Sequence, residues 1–154
     1  MMFQISDLFQ ESPDESGIQF FTEDVDFELK EKEAIRQWIE KIIAGEDKQL
    51  QLINYIFCSD AYLHELNVEY LQHDTLTDII TFQYSDLPII EGDIFISIER
   101  VRENAQAYAP SFEHELRRVM IHGALHLCGY GDKTAEEKEK MREKENEALG
   151  VWEG

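Results

Sequence analysis

The chain has 154 residues, 43% hydrophobic and 31% charged, which sets the expectation of one soluble globular domain over residues 1–154 with a proper core. With 33 acidic against 14 basic residues the net charge is −19, which argues against a general nucleic-acid binder, because lysine and arginine make most phosphate contacts. A local basic residue or a bound cation can still hold a phosphate, and no apolar run approaches the roughly 18 residues of a membrane-spanning helix.

The opening MMFQISDLFQESPDES has no basic leader region, so a cytoplasmic protein without a membrane partner is expected. Residues 18–29 alternate at Val25, Phe27 and Leu29 and suggest a strand or hairpin arm. Ala34, Ile35, Trp38, Ile39, Ile42 and Ile43 recur at helical spacing, with Gly45 as a stop. LQLINYIFCSD, from Leu50, reads as a buried strand, and a short helix follows over Ala61–Tyr70. Thr77–Tyr84 and Gly92–Ile98 are rich in β-branched and aromatic residues, as strands are. ERVRENAQAYA reads as a helix closed by Pro110, and Ser111 caps the next, which carries Phe112, Leu116, Val119 and Met120. Thr134 and Glu137 form a capping box for a last, highly charged helix, whose run EEKEKMREKENE is expected to be a solvated face. Strands early and helices around and after them indicate an α+β domain with one small sheet. Cys58 and Cys128 lie far apart and are expected as buried, reduced thiols.

The chemistry concentrates in HGALHLCGYGD, from His122 to Asp132. His122 and His126 are i and i+4 on a helix, so one face presents both, about 5–6 Å apart, within reach of one metal ion. Gly129 can end the helix in the left-handed conformation, and Asp132 can return as a third ligand. H-x-x-x-H-x-x-G-x-x-D has the geometry of the zincin-like metzincin motif with its third histidine replaced by aspartate. Three ligands leave a position for water, which suits catalysis better than structure. Gly123 stands where zinc peptidases carry their glutamate base, which disfavours peptide hydrolysis. Two histidines and a carboxylate also suit non-haem iron, although nothing else suggests oxygen chemistry.

The segment resembles the YbeY endoribonuclease family, the rRNA maturation factors, whose signature is H-G-x-L-H-L-x-G-Y-D-H. LNVEY at Leu66–Tyr70, TDIITF at Thr77–Phe82 and GDIFIS at Gly92–Ser97 match further family blocks in order. The resemblance covers about residues 18–150. It implies a small mixed sheet packed against helices, with the metal at the mouth of a cleft. It also implies a zinc-dependent, single-strand-specific endoribonuclease, one Zn2+ per chain, acting in 16S rRNA 3′-end maturation and ribosome quality control. The implied partners are single-stranded rRNA and the small ribosomal subunit or its assembly factors, with no DNA.

Two positions depart from the family pattern. Asp132 takes the place of the third histidine, with Gly131 before it where an aspartate is usual. Leu71 takes the place of an arginine expected to act on substrate. Arg118, one turn before His122 on the same face, is the candidate replacement, and its competing reading is a surface ion pair. Glu115, seven residues before His122, either orients a histidine or is solvated. Arg118 and Glu115 are thus the candidate catalytic residues beside the metal set His122, His126 and Asp132. Asp78 is expected to brace the turn before its strand. His64 is expected to be exposed, and His114 and His73 are too loosely placed to assign. The leading reading is a metal-dependent ribonuclease. The alternative is a ribosome-assembly or RNA-binding factor with a structural metal and little cleavage. A small-molecule or peptide hydrolase is a third reading, less favoured because of Gly123.

Overall fold

The computed structural model describes residues 17–71 and 77–153. In chain order it contains β1 (Ile18–Glu23), α1 (Lys32–Gly45), β2 (Gln49–Cys58), α2 (Asp60–Leu71), β3 (Ile79–Gln83), β4 (Ile89–Ser97), α3 (Ile98–Tyr108), α4 (Phe112–Leu127) and α5 (Ala135–Gly150). The strands form one mixed sheet in the order β1-β2-β4-β3. β1 and β4 run parallel to β2, and β3 is antiparallel to β4.

β2 lies inside the sheet with both faces covered, which explains its unbroken apolar run. Ile53, Tyr55 and Phe57 point into the main core with Val119, Met120 and Ala124 of α4. Ile56 and Cys58 point the other way, into a smaller cluster with Leu63 and Leu66 of α2 and Phe95 of β4. The Tyr55 hydroxyl donates to the Met120 carbonyl at 2.9 Å and so ties the central strand to the helix that carries the histidines. Both cysteines are buried and free, and burial pushes the Cys58 thiol up to about 12 and the Cys128 thiol up to about 11.

The first strand is shorter than the alternation suggests. Asp24 adopts a left-handed backbone (φ 59°) and ends β1. Val25, Phe27 and Leu29 still pack on the core, but from an irregular segment. A hairpin arm is also excluded, because β1 pairs in parallel with β2 and α1 makes the crossover. No helix among the described residues is long and apolar enough to cross a membrane.

Candidate metal centre

α4 starts where Ser111 accepts a hydrogen bond from the His114 backbone N–H at 3.1 Å. Its buried stripe of Leu116, Val119, Met120, Ala124 and Leu127 presses on the sheet, which turns the 118–122–126 row toward a cleft. Gly123 belongs to the packed face. A Cβ there would lie 2.9 Å from Ile94 Cγ2 and 3.0 Å from Ile79 Cδ1. The slot that holds the peptidase glutamate in zincins is therefore closed against the sheet. Past the helix end, Gly129 takes φ 109°, a conformation that favours glycine, and the chain turns back to bring Asp132 beside the histidines.

Asp132 Oδ2 lies 3.3 Å from His122 Nε2 and 3.2 Å from His126 Nε2. A tetrahedral ion with bonds of about 2.0–2.1 Å needs donor atoms about 3.3 Å apart, so these two separations suit it. All three donor atoms lie within 4.8 Å of one another. The Nδ1 atoms are engaged elsewhere. His126 Nδ1 is 2.8 Å from the Tyr130 carbonyl, which can only accept, so Nδ1 carries the proton and Nε2 presents its lone pair. His122 Nδ1 is 2.7 Å from Glu145 Oε2, which sets its ring in the same way. The group can hold a metal ion.

Glu145 corrects the expectation for the last helix. Most of the EEKEKMREKENE run is exposed, but Glu145 is only 5% exposed and faces the centre, while Met141 and Ala148 of the same helix pack into the main core. Arg118 is where the row of i+4 positions puts it, at the cleft, and its fork is committed. Its NH1 donates to Glu145 Oε1 at 2.9 Å and its NH2 to Asn146 Oδ1 at 3.1 Å. Burial raises the Glu145 pKa, but His122 and Arg118 outweigh it and hold the carboxyl below its ordinary range. A second network braces the turn. The Tyr130 hydroxyl donates to Glu46 Oε1 at 2.6 Å, and Lys144 Nζ donates to Glu46 Oε2 at 3.1 Å.

The cleft beside these residues has a volume of about 740 Å³. Glu115 and Asp78 both line it, and burial raises the pKa of each. Glu115 does not orient a histidine, since Glu145 and Tyr130 take both Nδ1 positions. Asp78 faces the cleft, and its backbone carbonyl accepts from the Ser97 N–H at 3.0 Å, which joins the entry of β3 to the end of β4. Leu71 contributes an apolar wall. His64 and His114 are half-buried, so the expected exposure of His64 is not observed, and neither residue lines the cleft. His73 lies outside the described residues.

A family model described as Endoribonuclease YbeY matches residues 18–153. The chain belongs to the YbeY family. Curated relatives named Endoribonuclease YbeY include one from Flavobacterium psychrophilum, 54% identical over 132 residues, covering 86% of this chain and 94% of the relative. Another, from Amoebophilus asiaticus, is 53% identical and covers 85% of this chain and 90% of the relative. The solution structure of a Thermotoga maritima protein superposes with a TM-score of 0.57 at 29% identity, covering 88% of this chain and 91% of that one. The YbeY family takes part in rRNA processing. The mixed sheet packed against helices that the YbeY signature implied is the fold observed.

Proposed function

We propose that the chain is a zinc-dependent endoribonuclease that cuts single-stranded rRNA, with the 3′ end of 16S rRNA on the small ribosomal subunit as its target. The observation that carries this reading is the convergence of His122 Nε2, His126 Nε2 and Asp132 Oδ2 on a cleft of a YbeY-family chain. The donor group among the described residues has three members, which favours a catalytic over a structural ion, because structural zinc is closed by four protein ligands. When bound, zinc supplies positive charge for a phosphodiester and lowers the pKa of water.

The protein's own residues do the rest. His122, His126 and Asp132 hold the ion. Glu145 and the Tyr130 carbonyl fix the two rings. Arg118 acts through Glu145, to which it is bonded, and is a positioning residue. Glu115, half-buried in the cleft with a raised pKa, is suited to take the proton that water loses as it attacks phosphorus and to return it to the leaving oxygen. Cytoplasmic location and association with the small subunit or its assembly factors follow from the same reading.

Zinc-loaded wild type should cut a single-stranded rRNA fragment and spare the same sequence in a duplex, while His122→Ala should cut neither. Zinc retained in wild type without any cutting would favour the assembly-factor alternative.

A further inference from the structure

We propose that Arg142 binds a phosphate of the RNA chain in the cleft. This inference rests on the ribonuclease reading. The described residues lining the cleft include two guanidinium groups, Arg118 and Arg142. Arg118 has a side chain only 19% exposed, and two nitrogens of its fork are bonded to Glu145 and Asn146. Arg142 has a side chain 62% exposed, and its NH1 lies 3.7 Å from Glu145 Oε1, beyond good hydrogen-bond distance. That oxygen already accepts from Arg118 at 2.9 Å, and the other contacts His122 Nδ1 at 2.7 Å. The Arg142 pair is thus an exposed i,i+3 contact to a carboxylate satisfied by others, which contributes little and is readily exchanged for a phosphate.

The charge of the cleft makes that exchange useful. Asp78, Glu115, Asp132 and Glu145 place four carboxylates on its wall against the two guanidiniums. A bound divalent ion offsets part of this excess, but a polyanion also needs a donor free to turn toward it. A guanidinium binds phosphate through two parallel N–H donors. Leu71, on α2, offers no such group. Because Arg142 adjoins Glu145, and Glu145 holds His122, the bound phosphate lies on the His122 side of the centre.

The test uses zinc-loaded full-length protein, a labelled single-stranded oligoribonucleotide and a range of salt. Arg142→Ala should raise KM about tenfold, the size expected for one charged phosphate contact, with kcat and zinc content unchanged. The slope of log(kcat/KM) against log salt should shrink by about 0.7, one phosphate contact on a single strand. Arg142→Lys, which keeps the charge and loses the fork, should fall between. Wild-type KM and salt slope in Arg142→Ala would overturn the proposal while leaving the ribonuclease reading intact. Loss of zinc in that variant would also overturn it, since Arg142 would then act through Glu145. Failure of wild type to cut the oligonucleotide would remove the ribonuclease reading, and this inference with it.

Discussion

Glu145 serves two partners with one carboxylate: Oε2 meets His122 Nδ1 at 2.7 Å, and Oε1 accepts from Arg118 at 2.9 Å. A histidine ligand whose second nitrogen is held this way has a fixed tautomer and a fixed ring plane. Glu145→Ala should therefore weaken zinc binding by about 10- to 100-fold, measured by competition with a chelator. Unchanged affinity would mean that Glu145 serves folding only. Asp132→His should retain zinc, because the site is open enough at this position (Asp132 side chain 41% exposed) for an imidazole, and the family signature carries one there. Loss of zinc in a folded variant would mean that the turn accommodates a carboxylate alone. The three donors were legible in the sequence because their spacing follows from helix geometry and one glycine. Glu145 was not, because it sits within a charged run that reads as solvated. The missed signal is its register, four residues after Met141 and three before Ala148, both buried. A carboxylate in a buried stripe needs a partner, and a second helix supplied it.

At the scale of elements, the helix starts were legible because caps are local. Ser111 and the Thr134–Glu137 box cap α4 and α5 as their types and spacing require. The end of β1 was not legible, because the alternation of Val25, Phe27 and Leu29 reports a face turned to the core without specifying strand pairing. The turn after α4 depends on a contact distant in sequence, Glu46 with Tyr130 and Lys144. Burial raises the Glu46 pKa, but Tyr130 and Lys144 outweigh it and hold the carboxyl below its ordinary value. A pKa lower in the folded than in the unfolded chain contributes stability above the unfolded value and loses it as pH falls through the folded one. Wild type should therefore lose stability below about pH 4 more steeply than Glu46→Gln, as denaturant midpoints over a pH series would show. Parallel acid limbs for the two proteins would mean that this contact carries no linkage. At neutral pH the Glu46→Gln variant should be the less stable of the two.

For the whole molecule, a net charge of −19 and a carboxylate-rich cleft oppose any approach by RNA. A metal ion held by His122, His126 and Asp132 would offset part of this repulsion, so RNA binding as well as cleavage should depend on metal. Net charge could not reveal that a few cationic groups share one cleft, since that depends on α4 and α5 packing side by side. On the proposed reading, His122, His126 and Asp132 hold one ion per chain, and cutting has a strict requirement for it. The most direct measurement is cleavage of a single-stranded rRNA fragment by chelator-stripped protein titrated with zinc. That requirement means no cutting without metal, activity rising to a break at one zinc per chain, and none in His126→Ala at the same zinc concentrations. Cutting by the stripped protein, or activity that returns equally in His126→Ala, would contradict it.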